Sequence, residues 1–242
     1  MKGGVWRIMT DRIWGLLADS FTQILVPGLT VTLPLAAASF SIGLVVAVLT
    51  ALVQYRRVPV LRHIARFYIW VVRGTPMLVQ LYVIFYGLPD LGITLEPIPA
   101  AVFVFSLSTG AYSAESIRAA LESVPRGQIE AGLCVGLTYR QTLLRIVLPQ
   151  AMRTAFPPLS NELISLVKDT SLAANITVAE MFMETQRIVS RTYEAMPLYL
   201  EVALIYLMFS TVLTLLQRYG ERRLSGWEKK GGGHLVRASR RA

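Results

Sequence analysis

Between Asp19 and Arg56 the chain runs for 36 residues without a formal charge, and no soluble core of this size hides so long an apolar run. About 20 mostly apolar residues in a helix cross the hydrocarbon of a bilayer, so the portion from Leu29 to Val53 reads as a membrane span, despite Pro34. The composition agrees. Of 242 residues 54% are hydrophobic and 16% charged, where a soluble domain carries about 25% charged residues. The expected fold is an all-α integral membrane protein.

Four more spans follow from the same reading of the gaps between charges. One runs from Phe67 to Gly87, with Arg73 near its start snorkelling toward the interface. A third fills the 18 uncharged residues between Glu96 and Glu115. The fourth, Ala155 to Ala174, carries Glu162, Lys168 and Asp169 and is the poorest by hydropathy. The fifth, Met196 to Leu216, carries only Glu201, which is expected at the outer interface. Basic residues stay on the cytoplasmic side. Tyr55–Arg66 holds four arginines, Glu115–Arg153 five, and the tail from Arg218 eight basic residues, while Gly87–Pro97 has none. Thr170–Glu194 sets two arginines beside three glutamates. Five spans with the N-terminus outside and the C-terminus cytoplasmic fit this alternation.

The ends of the chain read differently from its middle. Trp6, Met9, Ile13, Trp14 and Leu17 recur at helical spacing, which predicts an interfacial amphipathic helix over residues 1–21. Asp11, Arg12 and Asp19 speak against a cleaved signal peptide. Residues 22–217 form the membrane domain, with a cytoplasmic loop at 115–153, and residues 218–242 form a basic cytoplasmic tail. The net charge of +9 sits in short blocks between apolar stretches rather than on one continuous surface, so nucleic acid is not the expected partner. One cysteine, Cys134, and two histidines, His63 and His234, leave almost no ligands for a zinc or iron–sulfur site.

The loop at 115–153 carries its own punctuation. Pro125 suits the start of a helix, and Gly136 is a natural stop for one running through Val135. Thr138-Tyr139-Arg140-Gln141 has the form of a capping box, so a second short helix is expected from Tyr139, limited by Pro149. Such a hairpin is either a surface feature without a partner or a projection that enters a groove on another protein. Small Ala131 and Gly132 beside Glu130 permit the close approach that docking needs.

The string Glu130-Ala131-Gly132, three residues, Gly136, nine residues, then Ile146-Val147-Leu148-Pro149 resembles the E-A-A-x3-G-x9-I-x-L-P loop of ABC importer permeases. Gly132 stands where that pattern has alanine. Arg73–Gln80 is similar to the R-G-T-P-x-L-x-Q segment of the polar amino acid branch. Ala111–Arg118 is similar to its A-Y-x-A-E-x-x-R segment, and Ser165–Leu172 to its S-L-x-K-D-T-S-L segment. The resemblance spans about residues 20 to 220. It implies the ABC importer permease fold and a coupling role toward an ATP-binding subunit for Glu130, Ala131, Gly132, Gly136, Ile146, Leu148 and Pro149. The implied partners are two ATP-binding subunits, an external solute-binding protein and a second permease subunit, the same or similar, in the inner membrane of a prokaryote. The branch serves histidine, glutamine, glutamate, arginine, cystine and opines.

The chain has no G-x-x-x-x-G-K-[ST] phosphate loop and no Gly-Lys dipeptide. ATP and magnesium are therefore expected on partner subunits, with no cofactor in this chain. His63 in a basic loop and His234 in a glycine-rich tail leave no Ser/His/Asp constellation, so catalysis is not expected. Polar groups at membrane depth are candidates for a translocation path: Asn161 and Glu162 in the fourth span, Ser106 and Thr109 in the third. The alternative is packing between helices, and for the hydroxyls a bond to their own helix backbone. The rival functions are an ion-coupled secondary transporter and an intramembrane enzyme acting on lipid. An odd span number without internal repeats weighs against the first.

Overall fold

The computed structural model describes residues 2–56 and 58–225, with side chains described from residue 11 to residue 224. The tail beyond residue 225 and the side chains of Trp6 and Met9 lie outside the described residues.

Every regular element among the described residues is helical. Helix α1 (Lys2–Pro27) passes through a π-helical turn, Gly28–Thr32, directly into α2 (Leu33–Tyr55). Asp11–Tyr55 is thus one apolar helix of 45 residues, about 68 Å at 1.5 Å per residue. No turn separates a leader at residue 21, because no glycine or proline breaks the helix between Ile13 and the π turn except Gly15 and Pro27, and neither interrupts it. The leader and the first span are continuous.

The expected second span is broken. Helix α3 (Pro59–Gly74) ends at Thr75, whose backbone is extended (φ −119°, ψ 143°), and α4 (Met77–Tyr82) starts a new direction. The axes of Pro59–Gly74 and Met77–Leu91 differ by 105°. A residue before proline avoids the helical region, so the Gly74-Thr75-Pro76 sequence forces the corner. Gln80 Nε2 satisfies the carbonyls freed there, donating to Val72 O at 2.8 Å, Thr75 Oγ1 at 2.9 Å and Thr75 O at 3.1 Å. That is the physical content of the Arg73–Gln80 motif.

Helix α5 (Pro97–Glu122) packs along the whole of α2. A Cβ on Gly43 would lie 2.8 Å from Thr109 Cβ and 2.9 Å from the Ser106 carbonyl, so only glycine permits this approach. Further along, Gly110 meets Val46, and Gln54 Nε2 donates to Glu115 Oε1 at 3.4 Å. These contacts advance together, so the two helices run parallel. The same holds for α1 and α10 (Ala195–Ser225). Arg12 pairs with Glu194 at 2.9 Å, Ser20 Oγ donates to Glu201 Oε2 at 2.6 Å, and Gly28 lies against Phe209. Helix α8 (Leu148–Asp169) returns against α5. It continues as a 3-10 segment, Thr170–Ile176, so Lys168 and Asp169 stand at the end of the regular helix.

A central core joins Ile24, Leu35, Phe105, Leu166, Met181 and Leu198. Three prolines follow a common pattern: Leu33-Pro34, Leu88-Pro89 and Leu148-Pro149 each come directly after a five-residue π turn. Proline lacks an N–H and clashes with the carbonyl four residues back. The widened turn shifts the bonding by one residue, as in Leu33 N to Gly28 O and Leu148 N to Leu143 O.

Candidate coupling loop and translocation path

The loop folds as the capping signals require. Helix α6 (Arg126–Cys134) begins after Pro125 and closes in a Schellman motif. Leu137 N donates to Gly132 O at 3.1 Å and Gly136 N to Leu133 O at 3.0 Å, with Gly136 at φ +85°. Both arms of the capping box form: Thr138 N to Gln141 Oε1 at 2.9 Å and Gln141 N to Thr138 Oγ1 at 3.3 Å. One expectation is corrected. Pro149 does not end the second helix; α7 (Tyr139–Thr142), the π turn Leu143–Val147 and α8 form one rod to Asp169. The π turn before Leu148-Pro149 is the reason.

Gly132, the departure from the family pattern, is where α6 crosses α7. An added Cβ would lie 2.7 Å from Thr142 Cγ2, 2.8 Å from its Oγ1 and 3.1 Å from Ile146 Cδ1. Gly132, Gly136 and Ile146 therefore build the turn. Glu130 and Ala131 stand exposed, with Leu133 and Val135 also open to the outside. Leu148 and Pro149 lie at the start of α8, away from that exposed face, Leu148 lining an apolar groove against α2. Ala120, Leu121 and Val124 of the α5 end pack on Leu143, Val147, Ala151 and Ala155. The hairpin is thereby anchored to α5 and α8.

The candidate path residues separate into two groups. Ser106 and Thr109 are buried in the α2–α5 seam, and neither hydroxyl has a hydrogen-bond partner among the described residues, including its own backbone. Asn161 is exposed and Glu162 half-buried, about two turns before the end of α8. Around Glu162 the quoted motifs converge. The Arg73 guanidinium lies 5.0 Å over the Tyr112 ring rather than simply snorkelling. Its charge acts on Glu115 and Glu162, and that of Asp169 acts on Glu162 as well. Arg118 holds Glu115 and Glu122, each at 2.8 Å.

One buried carboxylate escaped the sequence reading. Glu180 is wholly buried and caps α9 (Met181–Thr192), accepting from Met183 N at 2.8 Å and from the Tyr206 hydroxyl at 2.9 Å. Its signal was the placement of an acidic residue just before a helix start. Glu201, expected at the outer interface, is buried in the α1–α10 seam, where its carboxylate accepts from Ser20 Oγ.

Residues 41–226 match the family described as binding-protein-dependent transport system inner membrane component. The chain is 47% identical over 218 residues to the L-cystine transport system permease protein TcyB of Bacillus subtilis (strain 168), spanning 90% of this chain and 93% of that one. It is 36% identical over 203 residues to the glutamine transport system permease protein GlnP of Escherichia coli (strain K12), spanning 83% and 93%. Its fold superposes with a TM-score of 0.80, at 32% identity and over 85% of this chain and 96% of the other, on a solved amino acid ABC transporter with histidines. The inward-facing MetNI methionine ABC transporter shares the fold, with a TM-score of 0.71 at 19% identity, over 85% and 98% of the two chains.

The chain therefore belongs to the family of binding-protein-dependent inner membrane transport components. It is a membrane-embedded permease subunit of an ABC importer, a transport protein and not an enzyme. Membership implies ATP-binding subunits and a solute-binding protein as partners. The ion-coupled carrier and the lipid-acting enzyme are not favoured.

Proposed function

We propose that this permease carries a polar amino acid or a related compound, in the inner membrane of a prokaryote, through a path formed with a second permease, the same or similar. In this reading five spans leave the N-terminus outside and the C-terminus cytoplasmic, with the basic tail at 218–242. ATP and magnesium are bound by the partner subunits, which dock on Glu130, Ala131 and the hairpin around Gly136.

The observation that carries the reading is the rod from Tyr139 to Asp169. One end is fused to the hairpin, and Asn161 and Glu162 lie on the same rod. From Thr138 to Glu162 it rises about 36 Å at 1.5 Å per residue. A displacement of the docked end by nucleotide-driven closure moves Leu143, Val147, Ala151 and Ala155 together with the end of α5 on which they pack, and reaches Glu162 through the turn that holds Pro157 and Pro158. The half-buried Glu162 carboxylate then changes its exposure to the path. Its charge suits the ammonium of an amino acid, since an acidic group at membrane depth requires a compensating partner. The likeness to cystine and glutamine permeases supports the substrate class.

The test is uptake into proteoliposomes by the complete complex with its binding protein. Substrate-dependent ATP hydrolysis and uptake of a polar amino acid are expected; uptake that proceeds without ATP under an ion gradient overturns the reading.

A further inference from the structure

Among the described residues an apolar groove of about 600 Å³ opens between α2, α5 and the rod. Leu44, Val48 and Leu52 form one wall, and Leu144, Leu148 and Met152 the other. Val48, Leu144 and Met152 are exposed, so the groove is open to the outside of the chain. Two side chains in its lining are charged, Arg56 and Arg140, and neither forms an ion pair among the described residues. Both belong to the basic end of the helices. Tyr55 and Tyr139 lie near each other beside them, and tyrosines, with one apolar and one wet end, mark the level of a membrane interface.

We propose that this groove holds one anionic phospholipid, with its phosphate at Arg56 and Arg140 and an acyl chain along α2. The dimensions agree. From Leu44 to Arg56 the helix rises about 18 Å, against about 15 Å for the hydrocarbon of one leaflet. The charge agrees as well: two guanidiniums without carboxylate partners attract a phosphodiester, to which arginine donates in a bidentate fork. A second copy of the chain is a poor occupant. Placed on a two-fold axis the groove would face itself, opposing arginine to arginine and one concavity to another. Leu143, Leu144 and Leu148 in the lining belong to the segment that joins the hairpin to α8, so the lipid packs on the moving part of the coupling device. The assignment rests on the orientation proposed above only for which leaflet supplies the lipid.

The test is lipid retention by the purified complex of permease and ATP-binding subunits. The complex is equilibrated in detergent with equal amounts of phosphatidylglycerol and phosphatidylcholine, and retained lipid is counted by native mass spectrometry. The natural protein should retain phosphatidylglycerol in preference, by up to about twenty-five-fold if each arginine contributes a factor of about five. The double substitution Arg56→Gln with Arg140→Gln should bring the ratio near one, and Arg56→Lys with Arg140→Lys should keep most of it. Val48→Trp, which fills the groove, should lower retention of both lipids, while Val45→Trp on the same helix outside the lining should not. Equal retention of the two lipids by the natural protein, or a preference that survives the glutamine pair, overturns the proposal. So does a disulfide joining Met152→Cys in two copies within the assembled complex, since a second chain then occupies the groove. The readout needs no transport, so its failure is distinct from failure of the proposed function.

Discussion

Gly132 and Thr142 touch where α6 crosses the start of the rod: a Cβ on Gly132 would stand 2.8 Å from Thr142 Oγ1. The threonine side chain is buried and branched at Cβ, so it has little room to turn away. Gly132→Ala, which restores the residue usual in the family pattern, is expected to destabilise the hairpin by about 1–3 kcal/mol through overpacking. Thr142→Ala should relieve it. The check is a double-mutant cycle on thermal unfolding of the purified complex, in which the alanine pair is more stable than Gly132→Ala alone. Additive losses would show that the two positions do not share this contact.

Glu130 and Gly136 act on coupling by different physical routes. Glu130→Arg reverses a charge on the exposed face of α6 without touching the fold, so the expected effect is a loss of substrate-stimulated ATP hydrolysis with an unchanged melting temperature. Gly136→Leu places a side chain at φ +85°, which costs about 1–2 kcal/mol, and it should lower both coupling and the melting temperature. Normal stimulated hydrolysis in both variants removes the hairpin from the mechanism.

Much of this architecture was legible because its signals are local. The capping box at Thr138 and Gln141 and the stop at Gly136 read directly, since each is a short-range match between side chain and backbone. The long helix Asp11–Tyr55 read well because its apolar residues are continuous. Pro149 misled, because proline is a helix breaker in isolation and the π turn that accommodates it has no composition of its own; Pro34, read through as part of the first helix, is accommodated in the same way. The corner at Thr75-Pro76 was hidden for the opposite reason: Phe67–Gly87 is apolar enough to pass for one span, and the proline that breaks it lies inside. Among the candidate path residues, Ser106, Thr109, Asn161 and Glu162 looked alike in sequence, and only packing separates the seam of α2 and α5 from the exposed side of α8.

The proposed orientation is tested by reporter fusions. Fusions after Arg66, within residues 126–145 and after Arg223 are expected to report cytoplasm, and one near Asp90 the outside, because arginines cluster at the first three and none lies near the last. Parallel α1 and α10, and parallel α2 and α5, are the relations that odd-numbered spans have. A cytoplasmic signal near Asp90 sinks the five-span arrangement.

The rod also makes a prediction about what passes. Asn161 and Glu162 are consecutive, so their side chains diverge by about 100° around the helix. Asn161 is exposed, while Glu162 is half-buried and lies within the fields of Arg73 and Asp169. Glu162→Gln keeps the shape and removes the charge. It is expected to slow uptake of cationic and zwitterionic substrates about tenfold, the effect of losing one ion pair worth about 1.4 kcal/mol, while assembly and basal ATP hydrolysis persist. Asn161→Ala removes hydrogen-bonding capacity without altering charge, and should change the ranking among substrates of equal charge rather than the rate for cations. Radiolabelled uptake by both variants in parallel, with the binding protein held at saturation, separates the two roles. Unchanged rate and preference in both assign selectivity to the external binding protein and leave the pair a purely structural part of α8.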